Sequence, residues 1–263
     1  MTRRRSRGKI LLRNPHVPLE VSNDLRLQAQ HDMIIRVFNG RLITAPVNLL
    51  PGTKVLDSAT GTGIRALQAS TQYQEISFTG IDIESRNLPT SPPPNTEFLV
   101  HNITALPEEW SGTFDLVHQR LLIAALRTEE WPRAIGEAHR VLKPGGWVQI
   151  VELSLLSLQR GPVGRRLWDV FRAFSEARTM LSTCAEDIPQ MLKDVGFCNV
   201  RNELSIIGAY RRLRKAIVQE GGFGIVGSGE EYDALLDELD REFETGVNGS
   251  YPMEFVAVVA QKA

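Results

Sequence analysis

The sequence predicts an α/β domain on a doubly wound, mostly parallel sheet, and three observations carry that prediction. Short apolar runs alternate with helical periods from Lys54 to Glu152; the runs are continuously apolar; and a glycine-rich turn follows the first of them. Continuously apolar strands are buried on both faces, the condition of a parallel sheet covered by helices. Right-handed crossovers then wind those helices onto both sides.

The elements follow in order. A helix is expected over 23–38, with Ser22 or Asn23 placed to cap it. Lys54–Asp57 is a short buried strand, and Gly61–Ser70 turns into a helix. Strands Ile76–Asp82, Glu97–Val100 and Phe114–His118 come next, with the Pro-rich stretch Leu88–Pro94 as a loop. A helix over Glu130–Val141, the turn Lys143–Gly146 and the strand Trp147–Glu152 complete the alternation. Beyond it, Leu167, Val170, Phe171, Phe174 and Leu181 share a helix face, and Asp187–Val195 forms a helix ended by Gly196. Val200–Ile207 is a strand, Tyr232, Leu235, Leu236, Leu239 and Phe243 fit helical spacing, and Phe255–Gln261 closes the sheet. The expected organisation is a flexible basic tail over 1–22 and one domain over 23–263, with lid segments near 160–182 and 209–245.

Composition narrows the function. The 263 residues carry a net charge of −1, so the chain as a whole makes no electrostatic case for nucleic acid. Arg3, Arg4, Arg5, Arg7 and Lys9 form one basic run, read as a solvated tail, with a nuclear signal as the other reading. Two cysteines make no disulfide framework, which points to a reducing, cytoplasmic setting. No apolar run is long enough to span a bilayer, and no Cys or His pair has metal-ligand spacing. Neither a Gly-x-Ser-x-Gly elbow nor a phosphate-binding P-loop occurs.

Ligands of such sheets bind beyond the carboxyl ends of the strands. There Val55-Leu56-Asp57-Ser58-Ala59-Thr60-Gly61-Thr62-Gly63 runs from strand through glycine turn into helix, and Asp82 ends the next strand. Glycines let backbone amides approach a ligand, and a carboxylate at the position of Asp82 suits ribose hydroxyls. Both features also fit a nicotinamide dinucleotide. Asp57 decides against it, because a carboxylate leading into the turn disfavours a pyrophosphate and suits an ammonium and a sulfonium, as in S-adenosylmethionine.

These stretches, together with Asp24–Gly40, Phe114–His118 and Leu142–Trp147, give the chain a family resemblance from about residue 23 onward. It resembles the fungal LaeA-like (UMTA-type) branch of class I methyltransferases. The resemblance implies a seven-stranded sheet with a reversed final strand, S-adenosylmethionine as cofactor, and a site mapped residue by residue. Asp57 would hold the methionine amino group, and the turn from Ala59 through Thr62 to Gly63 would enclose the methionine moiety, with Gly61 and Gly63 making room. Asp82 would bind the ribose, Ile83 would pack on adenine, and Asn102 with Ile103 would meet the adenine edge. Ala59 stands where the family has a first glycine, and Asn102 where it has an aspartate.

Methyl transfer needs an acceptor in line with the sulfonium methyl, and a base if that acceptor is a hydroxyl. His118, taken to end the fourth strand, is the leading candidate for that base and for shaping the cofactor pocket; His31 and Glu152 are weaker ones. Trp168, Phe171, Phe174 and Phe223 point to an apolar or aromatic small-molecule substrate of secondary-metabolite type. The competing reading, motivated by Ala59 and Asn102, is a non-methylating role: a cyclase using the cofactor as a fixed charge, or a component of a regulatory complex.

Overall fold

The computed structural model describes residues 23–156, 162–205, 228–231, 233–234 and 254–263. Expectations for the tail 1–22, for Phe223 and for most of the segment 209–245 lie outside these residues.

Helix α1 (Asn23–Val37) leads to β1 (Lys54–Ser58), α2 (Ile64–Gln72), β2 (Ser77–Asp82), β3 (Thr96–Val100) and β4 (Phe114–Arg120). Then come α3 (Trp131–Val141), β5 (Leu142–Ser154), α4 (Pro162–Glu176), α5 (Cys184–Val195), β6 (Phe197–Ser205) and β7 (Glu254–Lys262). The seven strands lie in the order β3-β2-β1-β4-β5-β7-β6. The pairs from β3 to β5 are parallel, whereas β7 runs antiparallel to both β5 and β6. Strand order reverses at β1/β4, the switch point where a doubly wound sheet opens a crevice.

Alternate residues of each strand feed opposite faces. Leu56, Ile81, Val117, Val148 and Ile150 pack on Trp131 and Ile135 of α3 and on Ile188 and Leu192 of α5. On the other face, Val55, Phe78, Leu116 and Trp147 pack on Ala66 and Ala69 of α2, and Val151 meets Ile34 of α1 and Phe38 just after it.

Several boundaries differ from expectation by a few residues, and two of these differences bear on the site. β5 begins at Leu142 rather than Trp147, because residues 143–146 form an excursion within it: Phe114 pairs with Leu142 and Leu116 with Trp147. Gly146 is required there, since a Cβ would lie 2.9 Å from the Lys143 carbonyl oxygen and 3.2 Å from that of Asp115. β4 continues two residues past His118 to Arg120, and that extension changes the reading of the site.

Candidate functional site

The turn between β1 and α2 brings three residues to positive φ: Ala59 (55°), Gly61 (60°) and Gly63 (71°). The two glycines serve different ends. A Cβ on Gly61 would meet only a Leu27 methyl, at 3.9 Å, so Gly61 faces open space. A Cβ on Gly63 would come within 2.5 Å of the Phe98 ring and 2.9 Å of Pro89. Gly63, expected to make room for a ligand, instead makes room for β3 and caps α2. Ala59 holds a left-handed conformation that costs an L-residue roughly 1–2 kcal/mol.

Beyond the turn lies a cavity of about 290 Å³, near the lower end of the roughly 300–1,000 Å³ usual for ligand pockets. Ala59, Gly61, Thr62, Asp82, Ile83, Asn102 and Ile103 all line it, as do Thr60 and His101. Leu27 and Gln30 of α1 close one side, and Arg120, Leu121, Leu122, Ala125 and Leu126 form the wall after β4. Asp82 accepts hydrogen bonds from the amides of Gly61 (2.8 Å) and Glu84 (3.0 Å), which fixes both carboxylate oxygens at the cavity edge. Ile83 beside it is 69% exposed, an apolar side chain open to a flat ring. Asn102 Oδ1 accepts from the Thr104 amide and hydroxyl, both at 2.9 Å. Its oxygen is committed to its own turn, so the amide presents its NH₂ donor rather than both functions.

Asp57 and His118 do not line the cavity. They lie one layer below, in a polar row that crosses the sheet as Asp57–His118–Gln149 on β1, β4 and β5. Asp57 accepts from Thr60 Oγ1 (2.6 Å), Arg65 Nη1 (3.1 Å) and His118 Nδ1 (2.8 Å), all buried. Burial alone would raise the Asp57 carboxyl, but Arg65, with His118 and Thr60, holds it well below the usual carboxylate range. Burial and the Arg65 charge push His118 down to about 3, so the ring is neutral and donates Nδ1–H to Asp57. Arg65, lowered by burial to about 10, stays charged at neutral pH and also bonds the Leu42 carbonyl (3.2 Å). Gln149 accepts from the amides of Thr44 (2.7 Å) and Ala45 (3.0 Å), tying the segment after α1 to β5.

Two expectations are corrected by this layer. Asp57 supports the glycine turn from below through Thr60 and α2, rather than facing the cavity. His118 is 2% exposed, two residues inside β4, with its Nδ1 bonded to Asp57, so it is not placed to take a proton from an acceptor in the cavity.

The weaker candidates are displaced too. His31 is buried between Gln68 Oε1 (2.6 Å) and Arg120 Nη1 (3.0 Å). Glu152 faces the α3/α5 side, pushed by burial up to about 8, and accepts from the Leu122 (2.6 Å) and Ile123 (3.3 Å) amides. It holds the wall after β4 but does not line the cavity. Phe171 and Phe174 on α4 are exposed and Trp168 is buried; none of the three lines the cavity. Arg120, Gln30 and Leu27 were not anticipated. The stretch Val117-His118-Gln119-Arg120-Leu121 offered no mark of where β4 stops, and a strand two residues longer would have put Arg120, not His118, at its end.

A glycine turn at the switch point, a carboxylate on the next strand and a reversed β7 define the class I methyltransferase architecture. Residues 55–146 match the family model described as a methyltransferase domain. The chain is similar to N-methyltransferase gliN of Aspergillus fumigatus, 32% identical with 84% of this chain and 87% of that protein covered. It is likewise similar to methyltransferase psoC of the same organism, 30% identical over 91% of this chain and 94% of that one. In structure it resembles Haemonchus contortus phosphoethanolamine N-methyltransferase 2 in complex with S-adenosyl-L-methionine, at 19% identity and a TM-score of 0.52. That match covers 89% of this chain and 52% of the other. The chain belongs to the class I S-adenosylmethionine-dependent methyltransferases, beside these fungal relatives, and is an enzyme of that family. Among the described residues no helix is long and apolar enough to cross a membrane.

Proposed function

We propose that this enzyme transfers the methyl group of S-adenosylmethionine to a nitrogen of a small, mainly apolar secondary metabolite. The observation that carries the cofactor half is the cavity at the strand ends, where a recessed glycine turn, a fixed carboxylate and an exposed isoleucine meet in the order an amino acid, a ribose and an adenine require. In this reading Asp82 accepts from the ribose hydroxyls, Ile83 packs on adenine, and Asn102 and Ile103 meet its edge. Ala59, Gly61 and Thr62 border the methionine moiety, while Asp57, Gly63 and His118 act beneath, keeping the turn in shape. A single domain over 23–263 and a cytoplasmic setting belong to the same proposal.

Nitrogen as acceptor follows from gliN, named an N-methyltransferase, and from the withdrawal of His118 as a base. Bound S-adenosylmethionine supplies an electrophilic methyl on sulfur. A neutral amine would bond that methyl through its own lone pair as the methyl–sulfur bond breaks, with S-adenosylhomocysteine leaving and the ammonium proton passing to solvent on product release. The protein's part is to hold the nitrogen in line, and positioning alone can supply about 7–11 kcal/mol. Leu121, Leu122, Ala125 and Leu126 give the wall the apolar character that such an acceptor needs. Recombinant enzyme with S-adenosylmethionine should methylate apolar secondary amines and leave matched alcohols unchanged, read by mass spectrometry. Methylation of the alcohols alone would overturn the nitrogen assignment.

A further inference from the structure

Arg120 ends β4 on the face covered by α1 and α2. Register fixes its place: Ser58 pairs with Gln119, so Arg120 stands level with Ala59, where the glycine turn begins. Asp82 ends β2, on the opposite side of β1, and Asn102 follows β3 beyond it. A ligand with its nucleoside over β2 and β3 therefore crosses the turn and brings its far end to β4.

The side chain is held for a purpose that the protein itself leaves open. Arg120 Nη1 donates to His31 Nδ1 at 3.0 Å, and His31 Nε2 donates to Gln68 Oε1 at 2.6 Å. This relay works with neutral His31, whose pKa burial lowers and whose Nδ1 lone pair then accepts from the guanidinium. It joins α2, α1 and β4 and orients Arg120 along the cavity wall. Among the described residues Arg120 is the only arginine or lysine that lines the cavity, and no carboxylate of those residues forms a salt bridge with it. The Asp57 carboxylate reaches Arg120 only through space, without a direct ion pair. A recessed guanidinium with no carboxylate in contact is unfavourable, and its planar fork fits one through two parallel hydrogen bonds.

We propose that Arg120, oriented by His31 and Gln68, binds the α-carboxylate of the methionine moiety of S-adenosylmethionine. This rests on the cofactor placement proposed above. The pair of oppositely charged anchors, Asp82 for the hydroxyls and Arg120 for the carboxylate, would then fix both ends of the cofactor with the sulfonium between them.

The test is calorimetric titration of S-adenosylmethionine and decarboxylated S-adenosylmethionine into wild type, Arg120→Met and Arg120→Lys. Wild type should prefer the carboxylated ligand by at least about tenfold. Arg120→Met should lose that preference, weakening S-adenosylmethionine while leaving the decarboxylated ligand unchanged or improved; Arg120→Lys should keep part of it. Should Arg120→Met fail to fold, the wild-type preference and the lysine variant decide the matter. Equal wild-type affinities, or equal weakening of both ligands in a variant, would overturn the proposal while leaving the cofactor placement standing. Failure of wild type to bind S-adenosylmethionine would overturn that placement and the proposal together.

Discussion

Two polar layers lie one above the other at the carboxyl ends of β1 and β4, and they answer to different demands. The upper layer, Ala59 to Thr62 with Asp82, Ile83, Asn102 and Arg120, faces the cavity, and water or ligand can complete its hydrogen bonds. The lower layer, Asp57, Arg65, His118 and Gln149, is nearly free of solvent, and its bonds run within the protein: to one another at Asp57, to Thr60, and to the backbone at Leu42, Thr44 and Ala45. Chemistry of the same residue types therefore means binding above and folding below. A carboxylate in the upper layer can lose its partners at little cost to the fold, whereas one in the lower layer cannot.

The largest effect that would break this contrast is at Arg65. Arg65→Met leaves the Asp57 carboxylate buried without its counter-charge, a change expected to destabilise the protein by about 3–5 kcal/mol in denaturant unfolding. A loss no larger than that of a surface substitution would mean that the lower layer is not a closed network.

A smaller effect is expected at His118. His118→Gln removes a donor to Asp57 and should cost about 1–3 kcal/mol in stability. Its pH signature has a definite sign. The folded-state value of about 3 lies below the ordinary 6.5, so the unfolded chain binds the proton more tightly. Stability from this group is complete above 6.5 and is lost as pH falls toward 3. The variant should lose stability less steeply through that window, keeping the share of His31, which is lowered in the same direction. Turnover, by contrast, should show no acid limb assignable to His118. A loss of roughly 10²–10⁴-fold in turnover with stability and cofactor affinity intact would return His118 to the role of base.

The smallest effect tests the boundary between the layers. Ala59 sits at φ 55°, so Ala59→Gly should relieve strain and raise stability by up to about 1 kcal/mol, less the extra chain entropy of glycine. A decrease in thermal stability would mean that the methyl group's packing and the added chain entropy together outweigh the strain.

The contrast also explains what the sequence disclosed. Strand ends bearing a glycine turn and a carboxylate are marked by residue type and spacing, and Ala59, Gly61, Thr62, Asp82, Ile83, Asn102 and Ile103 all line the cavity, their part in holding the cofactor being the proposal made above. Which layer a residue occupies depends on a strand's last two residues and on a period of two. Ending β4 at His118 instead of Arg120 lifted that histidine into the site and hid the arginine. Gly63 shows the same limit: its positive φ is legible from the motif, but the Phe98 ring that demands the missing Cβ comes from a strand 35 residues later (63 to 98). Pairings such as Gln68–His31–Arg120 join three elements and leave no local pattern at all.

The upper layer's claim to be the cofactor site is tested most directly at Asp82. Its oxygens bond the Gly61 and Glu84 amides at partly exposed positions, where water can replace them, so Asp82→Ala should fold and melt close to wild type. Titration of S-adenosylmethionine into that variant should show affinity weakened at least about tenfold, the loss expected for charge-assisted bonds to the ribose. An affinity equal to wild type in a folded Asp82→Ala protein would contradict the account.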